Sequence, residues 1–413
     1  MQNNPKSIRS NSIQTSYRWE HISKEKLLNT LGNVEIIDEI VQYETTHFEK
    51  NNCGVEKAEQ NLRNIFVNLA QHSCRIVKPF RKQKSCKNKP WADRELADLK
   101  KTVFKLGSAL KKQPYDLHIK NSFLKYSKDC KKLTKKKIHL YKKQLFDKLL
   151  ELRNSDPKQY WKMLKSLKHE DSGKNIELQA NFTDLMNHFK SQGETPYFDK
   201  EFKDKIEFEV SGDINLSVNE VTDKPFSASE IGKCIRRLKT GKSTGPDLIS
   251  NEIIKFSSAV TCKAIKKPFN LILDSGKYPS SWRKSFIILI HKSGDKLNMN
   301  NYIGISLQNC IAKLFSAALN SRLIEFYEDK FAIEQFGFRV NHRTTDSIFI
   351  LKSLITKYLT KKKSKIYACF VDLRRAFDTV WHEGLLYKLK ESKIGKKMFD
   401  IIKDMYSCCQ SAV

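Results

Sequence analysis

The chain has 413 residues, with 76 Lys or Arg against 46 Asp or Glu and a formal charge of +30 at pH 7. A surplus of that size argues against an enzyme of small neutral metabolites and for a polyanionic partner, nucleic acid before anionic membrane. With 39% hydrophobic residues the chain is not disordered as a whole. Its longest apolar runs, such as Phe286 to Ile290, fall far short of the roughly 20 residues that span a bilayer.

Residues 1–90 read as an N-terminal helical region, with segments at about 24–48 and 55–78 and no recognisable chemical motif. Residues 91–170 read as a basic helical linker region. From Lys78 to Lys168 stand 28 Lys or Arg against 8 Asp or Glu, a surplus of 20. The clearest predicted helix runs from about Pro114 to Arg153. Its apolar stripe is Ile119, Phe123, Tyr126, Cys130 and Leu133, then slips by five to Ile138 and resumes at Tyr141, Leu145, Leu149 and Leu152. A shorter helix carries Tyr160, Trp161, Leu164 and Leu167. Residues 171–225 are acidic, broken by Gly and Pro, and read as a flexible connector with one short helix near Phe182 to Lys190. From Phe226 the texture changes to alternating elements: helices to about Lys239, about 249–274, 309–328 and 344–360, and apolar strands at Ser285–His291 and Ile366–Asp372. The fold class expected is α+β, dominated by helix.

Several motifs have bland readings beside their functional ones. The polar N-terminus is no secretory signal. Ten Cys without a CxxC pair indicate neither a zinc site nor a disulfide framework; reduced thiols point to the cytoplasm or nucleus. The loop TGKSTGPD (240–247) fails as a phosphate-binding Walker loop, because the Gly required five residues before Gly241 is Arg236. In FVDLRRAFD (370–378) an apolar strand ends on Asp372, which suits a divalent cation or a helix cap. The run KKLTKKK, with Lys135, Lys136 and Lys137, is a solvated helix face or an import signal. The basic face it belongs to would hold phosphate backbones without sequence preference, those of A-form template RNA first. Six phosphate contacts would give a log–log salt slope of about −5 on duplex.

FVDLRRAFDTVWH (370–382) resembles the first palm motif of reverse transcriptases from non-LTR retrotransposons. In the same order, residues 229–255 are similar to the segment that opens their polymerase region, and YPSSWRKSFIILIHKSGD with NYIGISLQNCIAKLFSAALNSRL (278–295 and 301–323) to the first fingers motif. QFGFRVNHRTTDSI (335–348) is similar to the second, and KPWADREL (89–96) with SDPKQYWKMLKSL (155–167) to the region linking endonuclease to polymerase. Residues 226–413 are therefore expected to form the fingers and an incomplete palm of a right-hand polymerase. The resemblance implies RNA-directed DNA synthesis from dNTPs on an RNA template with a DNA primer, without a membrane partner. It also implies Mg²⁺, which Asp372 and the Leu373 backbone carbonyl would help hold. Phe377 would exclude the ribose 2′-hydroxyl, Lys292 would meet the triphosphate, and Arg339 would handle the template strand.

The departures matter as much. Ile303 stands where the family has an Arg that contacts the nucleotide. The Gly-rich QG loop and the paired aspartates of the family follow the first palm motif and do not occur before Val413. The expectation is a truncated fragment, inactive as this chain, whose strand 366–372 exposes an apolar edge. The alternative is a non-catalytic RNA- or DNA-binding remnant of a retroelement.

Overall fold

The computed structural model describes residues 16–20, 22–77, 90–157, 159–161, 163–164, 181–193, 199–212, 214–295, 297–360, 364–373 and 375–412. They fall into two compact units. One comprises the described residues of Met1–Pro79 and Leu178–Val413, the other those of Phe80–Glu177.

In chain order the first unit begins with β1 (Ser16–Arg18), α1 (Ser23–Leu31), α2 (Val34–Thr45), α3 (Asn52–Ser73) and β2 (Arg75–Val77), with β1 and β2 antiparallel. The single segment predicted at 24–48 is broken at Gly32–Asn33, where the Asn33 side chain accepts from the Glu35 N–H at 3.1 Å and starts a new helix. The second unit is a hairpin of α4 (Arg94–Lys112) and α5 (Leu117–Ser155). The chain returns to the first unit with α6 (Phe182–Gln192), α7 (Lys200–Ser211), α8 (Ala228–Arg237) and α9 (Asn251–Ser275). There follow β3 (Lys284–His291), β4 (Tyr302–Leu307), α10 (Cys310–Tyr327), α11 (Thr344–Leu359), α12 (His382–Glu391), α13 (Lys396–Tyr406) and β5 (Gln410–Ala412). The described residues are helix-dominated, with two small sheets.

One hydrophobic core runs through the first unit. Leu27, Leu62, Phe66 and Leu69 of the N-terminal helices belong to the same buried cluster as Phe226, Phe269, Trp282, Phe315 and Phe399. The rings of Phe269 and Phe315 meet edge to face at 5.0 Å. Two polar links cross this core. Lys267 of α9 donates to the carbonyls of Tyr43 at 2.8 Å, Glu44 at 2.8 Å and Thr46, closing the C-terminus of α2 with a cation. Glu59 of α3 accepts from Trp282 Nε1 at 3.1 Å.

Arg322 of α10 is the most connected buried group. Its side chain is 1% exposed. Its Nε donates to Glu230 at 3.0 Å, and its Nη1 donates to the carbonyls of Thr222 at 3.2 Å and of Lys224. The guanidinium lies 3.8 Å from the centre of the Phe226 ring. Glu230 also closes the capping box that starts α8 on Ser227. Burial pushes the Glu230 carboxyl up, but the Arg322 and Ser227 bonds outweigh it and hold the group below the usual carboxylate range. The same loop supplies Asp223, which accepts from the N–H groups of Lys397 at 3.3 Å and Met398 at 3.1 Å and so caps α13.

The loop 240–247, rejected as a phosphate loop, is a packing device. A Cβ on Gly245 would stand 2.3 Å from the Gln308 carbonyl oxygen, so only glycine lets this loop lie on the start of α10. Asp247 is 4% exposed. Burial pushes its carboxyl up to about 6, against bonds from the Ile249 and Cys310 N–H groups that pull it down.

One predicted element fails. Ile366–Asp372, expected as a buried strand, is irregular and lies exposed, with Phe370 83% and Val371 82% accessible. An apolar run becomes a strand only when a neighbour takes up its N–H and C=O groups. Among the described residues the sheets are β1-β2 and β4-β3-β5, and neither pairs with it. Also unforeseen were β1, β2, α7, β4, α12, α13 and β5; α7 buries only Ile206 and Val210.

Two outcomes follow. Arg322→Leu strands Glu230 and two carbonyls, and is expected to destabilise the first unit by about 3–5 kcal/mol in urea denaturation. Asp247 binds its proton more tightly folded than unfolded, so its contribution to stability falls as pH rises from about 4 to about 6. Asp247→Asn is expected to flatten that part of the stability-pH curve by roughly 3 kcal/mol.

Candidate nucleotide site

β3 and β4 pair antiparallel, with Ile288 opposite Ile305, Leu289 opposite Gly304 and Ile290 opposite Ile303. β5 joins β3 in parallel at Lys284–Phe286. Side chains alternate across this sheet. Phe286, Ile288, Ile290, Ile303 and Ile305 form one apolar face, each 40–49% exposed. On the other side lies a cavity of about 510 Å³ whose floor includes Ile287, Gly304 and Ser306.

Two further segments wall this cavity. From α6 comes Phe189, with Gln192 and Gly193 behind it. A Cβ on residue 304 would stand 2.7 Å from Phe189 Cε1 and 2.9 Å from Ile287 Cγ2, so Gly304 is the seat of the Phe189 ring. From the other side comes the turn 375–379, contributing Arg375, Phe377 and Asp378. Its geometry is fixed at Arg375, whose carbonyl accepts from the N–H groups of Asp378 at 3.0 Å and Thr379 at 3.1 Å and from Thr379 Oγ1 at 3.1 Å. Arg375 itself has φ of +53°, a region that a non-glycine residue occupies at some strain.

Lys292 completes the lining, just past the end of β3, where its backbone N–H donates to the Asn301 carbonyl at 2.8 Å. Among the described residues neither the Lys292 ammonium nor the Arg375 guanidinium has an ion-pair or hydrogen-bond partner. Two cationic residues, unpaired among the described residues, thus line one cavity with a single acidic residue, Asp378. Arg375 also acts on His188 of α6, whose imidazole is held below its usual value first by burial and then by this cation. Such a pocket suits an anion, and its Phe377 ring, 78% exposed and edge-on to Phe338 at 6.0 Å, offers a flat apolar surface beside it.

Residues 290–412, which carry three of these walls, match the family "Reverse transcriptase (RNA-dependent DNA polymerase)". This segment is a reverse transcriptase domain. Among similar proteins are the RNA-directed DNA polymerases from the mobile element jockey of Drosophila funebris, 33% identical over 187 residues, and of Drosophila melanogaster, 31% identical over 185 residues. The probable RNA-directed DNA polymerase from transposon BS of Drosophila melanogaster is 28% identical over 251 residues. These matches take in 42%, 44% and 56% of this chain but only 20–27% of the relatives' own length.

Of the residues the sequence singled out, the reverse transcriptase domain brings Lys292 and Phe377 to one cavity. Ile303 reaches its edge while the strand register sets its side chain on the opposite, exposed face with Ile305. Asp372 and Leu373 lie in the exposed irregular segment, outside the cavity lining. Among the described residues no three His, Cys, Asp or Glu side chains gather where a metal would be held. Asp372 as placed therefore does not fit a Mg²⁺ centre. Arg339 is turned inward. Its Nη2 donates to Glu328 at 2.9 Å and its Nη1 to the Ala332 carbonyl at 3.1 Å, with the side chain 12% exposed.

In the second unit Lys135 and Lys136 are exposed, while Lys137 turns onto the hairpin seam to pair with Asp93 and, at 2.6 Å, with Glu95. Those carboxylates raise the Lys137 ammonium and are the reason it is not a free cation.

Sequence reasoning missed Arg375 and Phe189. Arg375 stands three residues after Asp372, inside the motif, where only its position invited attention. Phe189 carried no signal, because nothing in the sequence ties residue 189 to residue 304. The pair yields a test: Gly304→Ala is expected to cost about 1–3 kcal/mol by overpacking. Adding Phe189→Ala should recover most of that loss, measured as a double-mutant cycle in denaturant.

Proposed function

We propose that this chain supplies the nucleotide-binding side of an RNA-directed DNA polymerase, as fingers and the first part of a palm. The carrying observation is the convergence of Lys292, Arg375 and Phe377 on one cavity within the reverse transcriptase domain. The two cations suit the triphosphate of an incoming dNTP. Arg375 provides a planar fork of donors where Ile303 cannot. Phe377 would lie against the sugar and disfavour a 2′-hydroxyl. Asp372 would become one of several carboxylates around Mg²⁺ once further acidic residues are brought beside it. As this chain stands, the proposal is binding without synthesis.

A second reading, a nucleic-acid-binding remnant, is favoured by the exposed Lys135 and Lys136 on the long helix α5. The two readings share RNA binding and part company at incorporation.

The experiment is primer extension on poly(rA) with an oligo(dT) primer and dTTP. The 413-residue chain alone is expected to bind the template-primer and incorporate nothing. Joined in frame to a family hairpin carrying the paired aspartates, it is expected to incorporate dTTP in preference to UTP and to lose incorporation with Asp372→Asn. A joined protein that binds RNA but never extends the primer leaves only the remnant reading. In either case Lys135→Gln with Lys136→Gln should make the log–log salt slope on duplex shallower by roughly 2. Lys137→Gln should leave that slope unchanged.

A further inference from the structure

The hairpin of α4 and α5 differs at its two ends. At the base Lys137 is held by Asp93 and Glu95, with Lys135 and Lys136 exposed beside it. Toward the turn at 113–116 no lysine meets a carboxylate among the described residues. Residues 100–128 hold eight Lys and a single acid, Asp116. That acid is occupied in capping α5, accepting from the N–H groups of His118 at 2.8 Å and Ile119 at 3.1 Å. All eight Lys are exposed, and among the described residues none of them forms an ion pair.

The same end carries apolar surface that a solvated hairpin does not need. Tyr115 is 96% exposed, Phe104 76% and Leu117 71%. Between the helices Val103, Phe104, Gly107, Leu110, Pro114 and Phe123 line an open cavity of about 510 Å³, with Lys111 at its rim. Gly107 sits mid-helix, where glycine is less favourable than alanine. A Cβ there would stand 3.3 Å from Phe123 Cε2, so the glycine lets the Phe123 ring close the cavity floor.

Exposed aromatic rings set among free lysines, around a slot open to solvent, are the two components of single-strand recognition. Ring faces stack on bases, and cations follow the phosphates. A duplex keeps its bases stacked inside and has no use for the rings. A second copy of the hairpin would bring two surfaces of the same strong positive sign together. We propose that the tip of this hairpin is a binding site for unpaired nucleotides of a single strand, with Phe104 and Tyr115 as stacking platforms and Lys111 and Lys112 on the phosphates. The site belongs to the second unit, the nucleotide cavity to the first, and it does not depend on polymerase activity.

The test uses the full chain and three fluorescent probes: a short oligouridine, an oligothymidine and an RNA duplex. The variant is Phe104→Ala with Tyr115→Ala, which removes no charge and touches only exposed side chains. Circular dichroism should show the helix content unchanged. Single-strand affinity is expected to fall about tenfold or more, while duplex affinity and both salt slopes stay as in the parent. Comparing oligouridine with oligothymidine tells RNA from DNA as the source of the strand. Lys111→Gln with Lys112→Gln is expected to make the single-strand salt slope shallower. The proposal is overturned if the aromatic variant binds oligouridine and oligothymidine as the parent does, or loses duplex and single strand equally. It is also overturned if the aromatic variant abolishes self-association of the chain in sedimentation, or binding to phosphatidylserine vesicles, with strand affinity untouched.

Discussion

The first unit depends on how a single buried guanidinium is satisfied. Arg322 cannot lose its proton, so once it is inside every N–H must be met. It is met by Glu230, by the carbonyls of Thr222 and Lys224, and by the face of Phe226. These partners lie in one short stretch, from the loop 219–226 into the first turn of α8, so Arg322 ties that stretch to α10. That loop then presents Asp223 to the N-terminus of α13. One ionic centre therefore sets the relation of α8, α10 and α13, and with them the frame from which β3 and β4 project.

From that frame the cavity follows by packing more than by charge. Phe189 reaches Gly304 because residue 304 has no side chain, and the turn at Arg375 is locked through a carbonyl that accepts three bonds. The cations Lys292 and Arg375 are left over after these contacts are made. Among the described residues their side chains hold no other group in place, which leaves them to meet a ligand. Arg339 shows the converse. The motif around it suggested a contact with the template, and the structure uses its guanidinium to tie 328–335 together.

The hairpin unit obeys a simpler rule. Read from the sequence, the apolar stripe of α5 slips between Leu133 and Ile138. In the structure position 137 continues the stripe with a lysine, which is tolerated on the seam because Asp93 and Glu95 neutralise it. A carboxylate pair more than forty residues upstream thus repairs a break in the pattern. With 39 residues, α5 extends about 58 Å, long enough for one face to pack while the others carry charge.

The sequence by itself determined the local and chemical features: helix periodicity, the basic surplus, and the ordered motifs that mark a reverse transcriptase domain. These are legible because each rests on residues a few positions apart. Tertiary structure alone decided which groups meet. It set Phe189 on Gly304, turned Arg339 inward, drew Lys137 to Asp93, and gathered the N-terminal helices into the core of Phe269 and Trp282. It also decided that 366–372, apolar enough for a strand, is none here. A strand is a property of two segments, since its hydrogen bonds end on a neighbour, whereas a helix closes its own.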